Sequence, residues 1–250
     1  MSHGPRQHQP TPSRISFRPV IEPIPLPKSQ RLIITVATGN AQKILANTAG
    51  PMKSYAAKCG ADFIALTNGT QDWPMAEKFR ISHYARHYER ILFVDADVFI
   101  RSSSPNIFDE VPAGRIAMHD DTPGLLRSSF GLDWMRLELE TICESQKWQV
   151  PVAAFCLNTG VVLFDREDAG IWSPPSLPFP TFHCAEQDIV QIRSAATERV
   201  FFLHEKWNWQ WWSNLEFAGI EHANFIHLAG MSQAHPNMQI PLLRALALTP

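Results

Sequence analysis

Ile91-Leu92-Phe93-Val94-Asp95-Ala96-Asp97-Val98-Phe99-Ile100 is an apolar strand interrupted by two carboxylates one residue apart. Burying an isolated carboxylate is costly, so each Asp in such a run needs a partner or a metal. In an extended backbone, positions 95 and 97 face the same way. The pair therefore predicts a site for a hard divalent cation, Mg²⁺ or Mn²⁺, which takes oxygen ligands. The alternative is a strand end whose Asp residues cap the next turn.

Working back from this strand, 75–89 carries Ile81, Tyr84, Ala85 and Tyr88 at helical spacing. Ahead of it, 61–66 reads as a strand, 41–58 as a helix, and 32–37 as a buried, β-branched strand. Strand, helix, strand, helix, strand in that order predicts an α/β doubly wound, Rossmann-like sheet, mostly parallel and flanked by helices. Further strands are expected at 115–118, 161–164, 200–203 and 224–227, and helices at 131–148 and 186–196. Leu132, Met135, Leu139 and Ile142 mark one face of the first of these helices. The stretch 173–180 holds Pro174, Pro175, Pro178 and Pro180 and is expected to be irregular.

With 250 residues the chain has room for one large domain. Residues 1–30 are rich in Pro, Gln, Ser and Arg and are expected to be extended and flexible, leaving 31–250 as the folded domain. The formal net charge of −2 gives no global basic field to recruit nucleic acid. No apolar run reaches membrane-spanning length, and the N-terminus lacks the apolar core of a secretion signal. Four scattered cysteines, without metal-ligand spacing, read as reduced thiols of a cytoplasmic protein.

Several motifs fall in a recognisable order: 35–40 (Thr-Val-Ala-Thr-Gly-Asn), Lys78, Asp95-Ala96-Asp97, and 158–164 (Asn-Thr-Gly-Val-Val-Leu-Phe). Glu186-Gln187-Asp188, Trp207-Asn208 and 225–230 (Phe-Ile-His-Leu-Ala-Gly) follow. In this order and spacing the chain resembles nucleotide-sugar-dependent glycosyltransferases of the GT-A fold. It is most similar to the retaining group that includes glycogenin and bacterial lipopolysaccharide galactosyltransferases. The resemblance spans about 31–230 and implies a single GT-A domain. It also implies a UDP-sugar donor, a divalent Mn²⁺ or Mg²⁺ ion, and transfer to a hydroxyl acceptor with retained configuration.

The resemblance assigns the cation to Asp95, Asp97 and His227, the last through the family's His-x-x-Gly pattern ending at Gly230. A lone His after a strand is otherwise a satisfied core or loop residue. Ala37, Thr38 and Asn40 would hold uracil and ribose at a strand's carboxyl end, where nucleotides bind in such sheets. A plain strand-to-helix turn capped by Asn40 is the competing reading. Lys78 would touch the nucleotide-sugar, with Arg80 as a second candidate or a solvated helix lysine as the alternative. Asp95, Ala96 and Gly230 complete the donor contacts.

Asn158 would hold donor-sugar hydroxyls, beside a Thr and a Gly small enough for close approach. Gln187 would lie against the reactive carbon, with Asp188 as sugar-hydroxyl partner or electrostatic stabiliser. Acidic residues at a helix N-terminus explain Glu186 and Asp188 equally well. Glu186 stands where relatives carry Asp, and Met231-Ser232-Gln233 stands where they carry a diphosphate-binding Lys. Lys206 or Arg244 would have to substitute for that base.

Trp207-Asn208-Trp209-Gln210-Trp211-Trp212 reads either as a platform for an acceptor sugar or as a packed cluster. The acceptor itself stays open: a glycan, a lipid-linked sugar, a protein or a modified nucleobase. Two other classes compete. A nucleotidyltransferase would need a Gly-rich basic loop where 38–40 is too sparse. A non-catalytic nucleotide-sugar or carbohydrate-binding protein on the same fold fits the missing base.

Overall fold

Six strands rich in branched aliphatic and aromatic residues form the centre of the molecule. The computed structural model describes residues 14–15, 17, 24, 26–69, 73–127, 132–149, 155–180, 184–213, 219–235 and 237–247. In chain order the strands are β1 (Arg14–Ile15), β2 (Arg31–Val36), β3 (Ala61–Leu66), β4 (Arg90–Val94), β5 (Val98–Ile100) and β6 (Ile116–Asp120). After them come β7 (Leu157–Asp165), β8 (Phe179–Pro180), β9 (Val200–Phe202), β10 (Trp209–Gln210) and β11 (Phe225–His227). The helices are α1 (Ala41–Lys58), α2 (Ile81–Ala85), α3 (Ile107–Glu110) and α4 (Thr122–Arg127), then α5 (Asp133–Gln146), α6 (Ala185–Ala195), α7 (Met231–Ala234) and α8 (Gln239–Ala247).

The main sheet runs β3-β2-β4-β7-β6-β9. Its β3–β2, β2–β4 and β6–β9 pairs are parallel, and β7 runs antiparallel to both neighbours. The fold is thus the α/β, mostly parallel sheet expected, with one reversed strand at its centre. Register explains the two-sided burial. Ile33, Leu92, Leu163 and Ala117 align across four strands and pack against Leu45, Met52 and Tyr55 of α1. Ile34, Phe93 and Val162 align on the opposite face, against Ile81 and Tyr84 of α2 and Trp172. Ile91 to Val94 are wholly buried, each worth about 1.5–3 kcal/mol.

Four sequence expectations need correction. The helix expected at 75–89 is a 3-10 stretch, Pro74–Arg80, followed by the short α2. Pro74 opens this tighter turn, which carries Glu77, Lys78 and Arg80 inward; all three are buried. The strand at 91–100 is broken. Ala96 and Asp97 form a turn, closed by Val98 N–H donating to the Asp95 carbonyl at 3.1 Å, so the acid pair does not sit on extended backbone. Asn158, Thr159 and Gly160 lie inside β7 rather than before it. The 173–180 loop ends in β8, which pairs antiparallel with β1.

A second sheet, β10-β11-β5, positions the candidate site. Antiparallel pairing of β11 with β5 sets His227 opposite Val98, one residue beyond Asp97.

Candidate functional site

Two segments, the β4–β5 turn and the end of β11, bring Asp95, Asp97 and His227 together. Asp95 ends the run of β4, and its N–H donates to the Gly160 carbonyl of β7 at 2.8 Å. Asp97 sits in the turn, where its carbonyl accepts from Leu228 N–H at 3.1 Å. His227 ends β11. Its Nε2 lies 3.3 Å from Asp97 Oδ1 and 3.8 Å from Asp95 Oδ2. One ligand atom from each of the three residues lies within 4.8 Å of the others, and among the described residues this is the one such group able to hold a metal ion. The carboxylates are partly open, at 18% and 21% side-chain exposure, above an imidazole exposed by 4%.

Gly160 makes this convergence possible. A Cβ built on it would lie 2.1 Å from His227 Cε1 and 2.5 Å from Nδ1, so the ring occupies the space a side chain would fill.

The charges are mutually compensated. Burial alone would raise the Asp97 carboxyl, but His227 beside it prevails and holds it below the usual carboxylate range. Burial alone would lower His227, whereas Asp97 and Asp95 together carry it above its ordinary value. Lys78 Nζ is buried between Asp95 Oδ1 at 2.9 Å and Glu186 Oε1 at 3.1 Å. Against the opposing effect of burial, those two carboxylates raise its pKa. Lys78 therefore joins the acid pair to the first turn of α6. Arg80 pairs instead with Glu77, at 3.1 Å.

Below Asp95, Asp97 and His227 lies a buried polar layer. His227 Nδ1 is 2.9 Å from Asn208 Oδ1, and Asn208 Nδ2 donates to Asn158 Oδ1 at 2.9 Å. Asn158 Nδ2 donates to Asp121 Oδ2 at 2.9 Å, and Gln210 Nε2 donates to Asp121 Oδ1. Burial pushes Asp121 up to about 6, against His119 and its amide donors. Asn158, expected at the donor sugar, thus has both ends of its amide engaged inside the protein.

Asn208 was legible in the sequence only as part of a motif, and Asp121 not at all. The signal for Asp121 is His119-Asp120-Asp121 at the end of β6, a second acidic strand terminus.

The remaining expected residues sit as follows. Ala37 follows β2, its N–H bonded to the Leu66 carbonyl at the end of β3 at 2.8 Å. Thr38 is half-buried, and Asn40 is exposed at the start of α1 without a side-chain capping bond. Ala96 is buried, its carbonyl accepting from Thr48 Oγ1 at 2.7 Å. Gly230 adopts φ +69°, a left-handed conformation, before α7. Gln187 Oε1 accepts from Thr159 N–H at 3.2 Å.

Asp188 is fully buried with Oδ2 unpartnered. Burial, then Glu138 and Glu186, hold it well above the usual carboxylate range. Lys206 lies 3.9 Å from Glu110, and Arg244 Nε bonds Asn47 Oδ1 at 3.4 Å. The tryptophans divide: Trp207 and Trp209 are core residues. Trp211 and Trp212 are half-buried, tethered through their ring N–H groups to the Ala229 carbonyl and to Gln210 Oε1.

No protein-family model matches the chain, and no curated protein matches it in sequence. Solved structures do match in fold, glycosyltransferases among them. One is a glycosyltransferase involved in the glycosylation of the major capsid of PBCV-1, at 16% identity and TM-score 0.56, covering 86% of this chain and 98% of that one. The galactosyltransferase LgtC, solved in complex with donor and acceptor sugar analogs, matches at 12% identity and TM-score 0.51, covering 88% and 96%. The bifunctional glycosyltransferase WbbM matches at 14% and 0.54, with 86% of this chain spanning 47% of that protein. The chain has the GT-A glycosyltransferase fold. Among the described residues no helix is long and apolar enough to cross a membrane.

Proposed function

We propose that the protein is a metal-dependent, retaining glycosyltransferase that moves a sugar from a UDP-sugar to a hydroxyl acceptor. The observation that carries this reading is the convergence of Asp95, Asp97 and His227 at the carboxyl edge of a GT-A sheet. Two carboxylates and an imidazole suit Mn²⁺, which accepts nitrogen more readily than Mg²⁺ does. Held by these three residues, such a cation would neutralise charge on a departing diphosphate.

The protein's own groups supply the rest. Lys78 restrains Asp95 and Glu186, so it orients the acid pair in place of touching the donor directly. Ala37, Thr38 and Asn40 line the strand end where uracil and ribose would lie. Gln187, clamped to Thr159, presents an amide near the sugar, and an amide is a poor nucleophile. The reading is therefore attack from the face of departure, with the acceptor hydroxyl's proton passing to the leaving phosphate. Asp188, its pKa raised by burial and its Oδ2 unpartnered, would donate a hydrogen bond to a sugar hydroxyl.

The missing base after Gly230 favours a second reading, a nucleotide-sugar-binding protein without turnover on the same fold. Calorimetry with UDP separates the two from an inert fold. Binding that requires Mn²⁺ and falls at least tenfold in Asp97→Ala is expected, and UDP affinity indifferent to Mn²⁺ would overturn the metal reading. UDP release across a panel of sugar nucleotides then separates an enzyme from a passive binder. Free Cys59, Cys143, Cys156 and Cys184 support the proposal of a cytoplasmic location.

A further inference from the structure

The amide chain beneath His227 has a direction that can be worked out from its fixed donors. Gly160 N–H is a backbone donor and points at Asn158 Oδ1 at 2.8 Å. That contact decides which way the Asn158 amide faces, so Nδ2 is the end that meets Asp121. Asn158 Oδ1 is an acceptor, hence the Asn208 atom beside it is the nitrogen, as observed at 2.9 Å. Asn208 must then turn its oxygen to His227 Nδ1, which carries the hydrogen.

A second fixed donor closes the far end. Trp212 Nε1–H points at Gln210 Oε1 at 2.6 Å, so Gln210 Nε2 faces Asp121 Oδ1. Asp121 receives an amide hydrogen on each oxygen and terminates the chain. Asn158, Asn208, Gln210, Asp121 and His227 are all buried, so a reversed amide would leave a donor against a donor, at about 1–3 kcal/mol per unsatisfied group.

We infer that Asn208, oriented by Asn158, Asp121 and Gln210, is a positioning residue that holds the hydrogen of His227 on Nδ1 and leaves Nε2 as the ring's metal-binding atom; this rests on the metal reading proposed above. Asp97 and Asp95 lie on the Nε2 side and would otherwise draw the ring's hydrogen there. Asn208 supplies the opposing acceptor. Outer partners of this kind commonly change metal affinity by about 10–100-fold when removed.

The test uses Co²⁺ as the probe cation, with calorimetry for affinity and proton NMR for the ring N–H. In the Co²⁺-loaded wild type, the His227 Nδ1–H should appear as a paramagnetically shifted, slowly exchanging resonance. Asn208→Leu should lower Co²⁺ affinity about 10–100-fold and broaden that resonance into solvent. Asn208→Asp keeps an oxygen for Nδ1–H but loses the hydrogen given to Asn158 Oδ1, so it should retain the resonance and lower affinity less than Asn208→Leu does. Asp121→Asn, nearly isosteric, places an amide hydrogen where two amides already donate, and should weaken binding less than Asn208→Leu. Wild-type affinity and an unchanged resonance in both Asn208→Leu and Asp121→Asn overturn the inference alone. A wild type that binds no Co²⁺ overturns the metal reading, and the inference falls with it.

Discussion

Two groups of carboxylates meet at Lys78, and the protein treats them in opposite ways. On one side, Asp95 and Asp97 face Lys78 and His227, and Asp97 is held more acidic than an ordinary carboxylate. On the other, Glu186 shares Lys78, while Asp188 and Glu138 have no cationic partner among the described residues. Burial drives Asp188 well up and Glu138 to about 7. Asp97 and Asp188 are both largely enclosed, so depth alone does not separate them; the difference is the supply of cations. Anionic charge is favoured at Asp97 and suppressed at Asp188 of α6 and Glu138 of α5.

Removing Lys78 should have the largest effect, because it joins the two groups. Lys78→Met leaves Asp95 and Glu186 facing an apolar side chain. Stripping one partner from a buried ionic network costs about 3–5 kcal/mol. Urea unfolding should register that loss. An unfolding free energy within about 0.5 kcal/mol of the wild type would mean the two groups are independent.

Gly160→Ala probes the compensated side alone. The new Cβ meets the His227 ring at 2.1 Å on the fully buried strand β7, where the backbone has little room to shift. Overpacking should cost about 1–3 kcal/mol and turn the imidazole away from Asp97, abolishing Mn²⁺-dependent UDP binding. Gly170→Ala is the control, since nothing lies within 4 Å of its Cβ position; it should shift stability by less than about 0.5 kcal/mol. Intact Mn²⁺-dependent binding in Gly160→Ala would show that the ring can be held elsewhere.

The compensated side was the more legible of the two in the sequence. The Asp95-x-Asp97 interruption stands out against an apolar strand, and His227 ends another. The strands around them, and α1 to the residue, follow from β-branched runs and helical spacing. What failed was local geometry: a 3.6-residue period over 75–89 does not distinguish a 3-10 turn begun by Pro74, and alternation assumes the strand continues through Asp97. The buried amide layer was illegible for a different reason. Its bonds join residues 37, 50 and 89 apart, and no period in sequence marks such pairings. Asn158 could be found in a motif; that its amide is consumed internally needed the fold.

The smallest effect should come from the uncompensated side, and its sign is the informative part. A carboxyl whose folded pKa lies above its unfolded value binds more protons folded than unfolded between those two values. Glu138, ordinarily near 4.3 and raised to about 7, thus loses stability as pH climbs from about 4 to 7 and is level above that. Asp188, raised in the same direction, adds to the loss. Glu138→Gln should therefore be neutral near pH 4 and stabilising at pH 8. Because Glu138 is only partly enclosed, the gain is discounted to about 1 kcal/mol, a rise in Tm of about 2–4 °C. Asp188→Asn should shift the same way, and thermal melts at both pH values check the pair. Destabilisation of either variant at pH 8 would mean these acids are charged and paired after all, and the contrast across Lys78 would vanish.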